Sequence, residues 1–253
     1  MNILLTNDDG IEAPGLRALA ASVPAGMAVR IAAPANEKSA CSHSISLSQK
    51  LRVESEIRDG IPHHTVHGTP ADCVKFALSE LRDFVPDLIL SGINQGANTG
   101  VSVYYSGTIS AAREGIINRI PSVAISLCSK TSRDYLACME IACQTAEAYA
   151  AGTIPPGVFL NINVPALPKD QIKGVKITKQ AASRFIEEFI PEKVHDGKAV
   201  YRLAGEIELY ESDGTSDEEA VNDGYISITP LILDLTDYKA MTCLKKWREE
   251  KAI

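Results

Sequence analysis

Apolar and polar positions alternate in two textures along this chain. Up to about residue 152, short runs that are apolar at nearly every position are separated by stretches in which apolar residues recur every third or fourth place. Ile3–Thr6, Ala28–Pro34, 86–91 and Ser122–Leu127 are of the first kind, the signature of strands buried on both faces of a parallel sheet. Ile11–Val23, a segment from Thr69 to about Leu81, Ile109–Ile117 and Tyr135–Ala151 are of the second kind and predict helices. Pro14 suits a first helical turn, and Thr69-Pro-Ala-Asp72 reads as an N-cap, a proline and an acidic first turn. Strand alternating with helix predicts a doubly wound, mostly parallel α/β sheet.

Other segments fit less cleanly. Ile45–Ile57 looks like β structure, a possible hairpin, with His63–Val66 a further short strand. Gly92-Ile-Asn-Gln-Gly-Ala-Asn-Thr-Gly100 reads as a loop whose glycines curl the backbone around a ligand. After residue 152 the texture becomes β-rich: 158–164, 175–180, 201–210 and 225–231 predict strands, Ser212–Asp223 an acidic loop or short helix, and Asp237–Glu250 a terminal helix. With no repeat and no linker, 1–253 reads as a single domain: an α/β core over about 1–152 and a β-rich elaboration over about 153–253.

Bulk composition narrows the function. The 253 residues are 45% hydrophobic and 23% charged, with a net charge of −7. That is ordinary globular composition, and the negative charge argues against nucleic-acid duplex binding. No run approaches the ~20 apolar residues of a membrane span. Acidic residues by position 8 and no basic leader argue against a secretory signal. Six cysteines without a Cys-x-x-Cys pair suggest small buried thiols in a reduced, cytoplasmic setting.

The candidate chemistry gathers at strand ends. Asn7-Asp8-Asp9-Gly10 follows the first buried strand, at the carboxyl edge where open α/β sheets bind ligands. Two adjacent carboxylates there repel one another, and a divalent cation would remove that repulsion. The loop with Ser39 follows the second strand, and Asn94 and Asn98 follow the strand at 86–91. These are hard oxygen donors, suited to Mg²⁺, Mn²⁺ or Ca²⁺. Ser106-Gly107-Thr108 opens a helix and predicts an anion site of backbone N–H groups and hydroxyls. His63, His64, His67 and His195 read as structural or surface residues, with His43 near the rim. Asp217-Glu-Glu219 reads as a solvated helix start. Phosphate-loop, dinucleotide and nucleophile-elbow motifs are absent.

Taken together, Asn7-Asp-Asp-Gly10, Ala33-Pro-Ala-Asn-Glu-Lys-Ser39, Gly68-Thr-Pro-Ala-Asp72, Ser91-Gly-Ile-Asn94 with Gly96 and Asn98, Tyr105-Ser-Gly-Thr108 and Ser227-Ile-Thr-Pro230 resemble the SurE family of survival-protein nucleotidases. One departure is Ala40 after Ser39, where glycine is the more frequent residue. The resemblance implies a Rossmann-like core and a phosphatase acting on nucleoside 5′- and 3′-monophosphates, with short polyphosphate a further substrate. It implies one divalent cation, Mg²⁺ or Mn²⁺, on Asp8, Asp9, Ser39 and Asn94, and a dimer or tetramer with exchanged C-terminal segments. The expected reaction is in-line attack of a metal-activated water. Asn94 and Asn98 contact the phosphoryl oxygens, Ser106–Thr108 hold the phosphate, and one aspartate, Asp9 being a candidate, accepts the proton. A receiver-type regulatory module or a non-catalytic nucleotide sensor is the alternative; the missing phosphoacceptor aspartate after 86–91 argues against the receiver.

Overall fold

Side chains alternate across the first strand, β1 (Asn2–Thr6), and both of its faces are apolar. Ile3 and Leu5 join one buried cluster and Leu4 another. Such a strand is stable only with a helical layer on each side. The computed structural model describes residues 1–155, 157–195 and 198–250, without the side chains of 193–195 and 250. The reading of His195 falls on a side chain outside the described residues.

One nine-stranded sheet forms the middle layer. In chain order its strands are β1, β2 (Ala28–Pro34), β3 (Val53–Arg58), β4 (Ile61–Val66), β5 (Leu88–Gln95), β6 (Ser122–Cys128), β7 (Phe159–Pro165), β8 (Val175–Ile177) and β11 (Ile226–Leu231). Their spatial order is β3-β4-β2-β1-β5-β6-β7-β11-β8. β4, β2, β1, β5, β6 and β7 run parallel, while β3 and β11 each pair antiparallel to a neighbour. Helices α1 (Pro14–Ala21) and α5 (Leu136–Ala150) cover the Ile3 and Leu5 face through Leu16, Leu19, Cys138, Ile141 and Ala142. Helices α2 (Pro70–Glu80) and α4 (Gly107–Ile117) cover the other through Val74, Ala77, Ala111, Ile109 and Ile116. The order of connection reverses at β1, between β2 and β5. That topological switch opens a crevice at the carboxyl end of β1, and Asp8 and Asp9 stand there.

The α/β expectation holds, and α2 has the capping box read from its sequence: Thr69 accepts from the Asp72 N–H and Asp72 accepts from the Thr69 N–H. Five local expectations need correction. Residues 45–52 form no strand, because β3 is the sheet's edge and offers them no partner; their backbone is instead tied to the α2 cap, Ser46 N donating to Asp72 at 3.0 Å. Residues 92–95 are not loop but the end of β5, reached through a register shift against β6 between Ser91 and Asn94. The strand expected at 175–180 stops at Ile177, with a single bridge from Lys179 to Ser216. A long strand, β9 (Ser183–His195), pairs with β10 (Lys198–Leu209) as a separate antiparallel hairpin. The pairs Phe185-Ile186 and Phe189-Ile190 mimic a helical repeat, so alternation gave no strand signal there. Finally, the acidic start of α6 (Asp217–Asn222) is not solvated: Asp217 is fully buried.

Candidate active site

β1 ends at Thr6, and the chain turns at once. Asn7 closes this turn on itself, its Nδ2 donating to the Gly10 carbonyl at 2.9 Å and its Oδ1 accepting from the Gly10 N–H at 3.2 Å. Gly10 takes φ +101°, a left-handed conformation that favours glycine. The turn lifts Asp8 and Asp9 to the rim, and the two side chains face different walls. Asp8 accepts a hydrogen bond from the Thr108 hydroxyl on α4. Asp9 accepts from the Gln95 backbone N–H at 3.2 Å, at the tip of β5.

Burial sets the electrostatics. It lifts the Asp8 carboxyl from its ordinary 3.8 to about 6; the Thr108 bond opposes the rise and neighbouring Asp9 adds to it. Burial also raises Asp9, against the Gln95 N–H, with Glu37 adding to the rise and Arg133 opposing it. Both carboxylates thus favour a neutralising partner.

The start of α4 leans directly on Asp8. A Cβ on Gly107 would lie 2.7 Å from the Asp8 Cβ and 2.8 Å from its Oδ2, so only glycine permits this approach. Ser106 is the N-cap, its hydroxyl oxygen accepting from Ile109 N at 3.1 Å. The two hydroxyls expected as anion donors are therefore partly committed, Ser106 as acceptor for its own helix and Thr108 as donor to Asp8. The Thr108 backbone N–H is likewise turned to Asp8, so what anion affinity this wall has rests on the rest of the helix start.

The other predicted residues sit around this pair. Asn94 is half-buried on β5, beside Gln95; its Nδ2 donates to the Gly96 carbonyl at 2.8 Å, so its amide oxygen is the atom that could meet a cation. Ser39 is exposed, and its hydroxyl donates to Glu37 rather than to either aspartate. The preceding residue ties that loop to the site, Lys38 N donating to the Asp8 carbonyl at 2.7 Å. Asn98 is buried, and one of the two N–H donors of its Nδ2 is committed to Ser126 at 2.9 Å.

Sequence reading missed the residues that hold the 96–101 loop. Asn161 Nδ2 donates to the Asn98 carbonyl at 2.7 Å, and Asn163 Oδ1 accepts from the Asn98 N–H at 2.8 Å. Two asparagines two apart on a strand otherwise apolar share one face. Buried amides need partners, so this spacing was the available signal. From the opposite side Asp217 accepts from Gly100 N at 3.1 Å, Ala181 N at 2.9 Å and Glu218 N at 2.9 Å, while Thr99 donates to Glu218. His43 turns from the rim to pair with Glu114 on α4, and His63, His64 and His67 bond locally to Ile61, Ser55 and Glu54. The thiols are not uniformly buried: Cys73 and Cys138 are, but Cys243 is exposed.

Among the described residues no three or more His, Cys, Asp or Glu are grouped so that they alone could hold a metal ion. A cation at this rim would rest on two carboxylates with neutral hydroxyl and amide oxygens. That is a hard, all-oxygen set, and it fits Mg²⁺ or Mn²⁺ better than zinc.

A three-layer α/β protein with adjacent carboxylates at the sheet's switch point, one of them against a helix N-terminus, belongs to the class that handles anionic ligands in that crevice. The family model described as survival protein SurE matches residues 3–187. The chain is 45% identical over 250 residues to 5′-nucleotidase SurE of Symbiobacterium thermophilum, with 97% of each chain covered. It is 40% identical over 253 residues to 5′-nucleotidase SurE of Chlorobaculum tepidum, covering 100% of this chain and 96% of that one. The crystal structure of the SurE protein from Aquifex aeolicus superposes with a TM-score of 0.79 at 36% identity, covering 98% of this chain and 99% of that one. The chain belongs to the SurE family.

Proposed function

We propose that this chain is a metal-dependent 5′-nucleotidase that hydrolyses nucleoside 5′- and 3′-monophosphates, and short polyphosphate, to release phosphate. The observation that carries the proposal is the pair of raised carboxylates, Asp8 against the start of α4 and Asp9 against the tip of β5, in a chain whose full-length relatives bear the name 5′-nucleotidase.

Asp8, Asp9, Asn94 and Ser39 are the residues that would hold one divalent cation, Ser39 after its hydroxyl leaves Glu37. When bound, such a cation neutralises phosphate charge and makes a water acidic enough to attack at neutral pH. The chain's own residues do the rest. The backbone N–H of Gly107, with the Ser106 hydroxyl proton, would orient the phosphate, while Thr108 acts through Asp8. Asn98, fixed by Asn161, Asn163 and Ser126, would contact the phosphoryl oxygens through its second amide N–H. Asp9, whose carboxylate accepts the Gln95 backbone N–H, would accept the proton of the attacking water.

We further propose one domain working as a cytoplasmic homodimer or homotetramer with exchanged C-terminal segments. Exposed apolar side chains support this: Leu244 and Trp247 on α7 (Tyr238–Glu250), and Phe189 and Tyr201 on the β9–β10 hairpin. Six free cysteines fit a reducing compartment. No helix among the described residues is long and apolar enough to cross a membrane.

The test is a phosphate-release assay over a panel of nucleoside 5′- and 3′-monophosphates and short polyphosphate, with Mn²⁺, Mg²⁺ or EDTA, beside a solution mass measurement. Release from monophosphates with Mn²⁺ or Mg²⁺, abolished by EDTA, is expected. Binding of nucleotide without release would make the chain a sensor and overturn the proposal.

A further inference from the structure

We infer that Glu114 on α4 is a positioning residue for the Ser39 loop, acting through His43. This rests on the cation reading above. Glu114 is 2% exposed and lies outside the Asp8–Asp9 pair. Three donors from three parts of the chain meet on it: His43 Nε2 at 3.0 Å, Lys75 Nζ at 2.8 Å and Asn118 Nδ2 at 3.0 Å. Burial would raise its carboxyl, but the His43, Lys75 and Asn118 bonds outweigh that and hold it below its ordinary value. Lys75 and Asn118 belong to the α2–α4 layer and its edge. His43 alone of the three belongs to the loop.

The loop needs such an anchor. Residues 36–44 form no helix or strand and bury no large apolar side chain. Ala40 and Ser42 both take φ +53°, the left-handed region that residues with a Cβ disfavour. Such backbone persists only when its surroundings over-determine it. The ties are Lys38 N to the Asp8 carbonyl on one side of Ser39, and on the other Ser42 N to the Tyr105 carbonyl at 2.9 Å, Ser42 Oγ to the Tyr104 carbonyl at 2.7 Å, and His43 to Glu114. Ser39 is thus bracketed between Asp8 and the short helix α3 (Ser102–Tyr105) that leads into Ser106–Thr108. The Glu114–His43 contact joins the loop bearing one candidate ligand to the helix that leans on another.

The experiment compares full-length parent protein with His43→Leu, His43→Gln and Lys75→Met, by Mn²⁺ titration of metal-free protein followed by electron paramagnetic resonance, and by hydrogen exchange of loop amides. His43→Leu is preferred to a Glu114 change because it leaves the buried carboxylate two partners and the fold intact. It is expected to weaken Mn²⁺ binding about tenfold and to speed exchange at 39–43, as losses of supporting bonds behind a ligand do. His43→Gln, which keeps a donor, recovers most of both. Lys75→Met, which removes a Glu114 partner but leaves the loop bond, stays within about twofold of the parent. Parent-like Mn²⁺ affinity in His43→Leu overturns the inference, and so does an equal loss in Lys75→Met, which would mark a general structural role. Mn²⁺ binding by the parent without phosphate release overturns the proposed activity and leaves this inference standing.

Discussion

Thr108, the second residue of α4, donates its hydroxyl hydrogen bond to Asp8, one hundred positions earlier in the chain. The bond crosses the sheet's switch point and joins the two walls of the crevice. It also opposes the rise that burial imposes on the Asp8 carboxyl. Thr108→Val keeps the shape and removes the donor. The Asp8 carboxyl is then expected to titrate above its present value of about 6 in the metal-free protein, visible by carbon-detected NMR. Mn²⁺ affinity is expected to fall about tenfold.

Asp8→Asn is expected to abolish phosphate release and at the same time to stabilise the metal-free protein at neutral pH. The sign follows from the raised carboxyl. The folded state holds this proton more tightly than the unfolded chain, so the stabilisation is complete below pH 3.8 and is lost as pH rises through about 6. A shift of that size corresponds to about 3 kcal/mol. Denaturant melts in EDTA at pH 4 and pH 7.5 should show the parent weakening with pH relative to the variant. Parallel pH profiles would contradict the account, and near-normal turnover of Asp8→Asn with Mn²⁺ would remove Asp8 from the site.

Gly107→Ala sets two effects against each other. Alanine favours helix over glycine by about 1 kcal/mol. Its Cβ, however, would meet the Asp8 Cβ at 2.7 Å, closer than side-chain carbons approach. Asp8 must move, and a displacement of about 1 Å at a reacting centre costs about a hundredfold in rate. The expected outcome is a melting temperature near the parent's with kcat/KM down about a hundredfold.

Asp217→Ala leaves the N–H groups of Gly100, Ala181 and Glu218 without their acceptor in a buried position. The expected loss is about 3–5 kcal/mol. Asp217→Asn keeps one carbonyl oxygen and should lose less. A scan in which both variants melt with the parent would show that the 96–101 loop does not depend on α6.

Ala40→Gly tests the backbone of the Ser39 loop. At φ +53° alanine carries a penalty of about 1–2 kcal/mol. Glycine removes it but adds about 0.5–1 kcal/mol of unfolded-state entropy. The balance predicts a gain of about 0.5–1 kcal/mol, measured by urea melts. A clear loss would show that the loop leaves this conformation in solution.

Much of this protein was legible in one dimension. β1, β2 and β6 are apolar on both faces, so their run of apolar residues announced a sheet covered twice. Helix α2 carried its capping box in Thr69-Pro-Ala-Asp72. The pair Asp8-Asp9 at the end of a buried strand marked the crevice, because adjacent charges in that position need a compensating partner. These are local properties: periodicity, caps and the electrostatics of neighbours are written in consecutive residues.

What only the tertiary structure decided is where the partners come from. Asp217 stands in an acidic run that any local reading places in water, yet it is buried because Gly100 and Ala181 need an acceptor there. Thr108 reads as a phosphate donor until Asp8 is seen to occupy it. His43 reads as a rim residue until Glu114 draws it into α4. Each of these pairs spans at least 36 positions. Burial, and with it the need of a charge or an N–H for a partner, is set by the whole packed chain, and no spacing along the sequence encodes which distant residue will meet it.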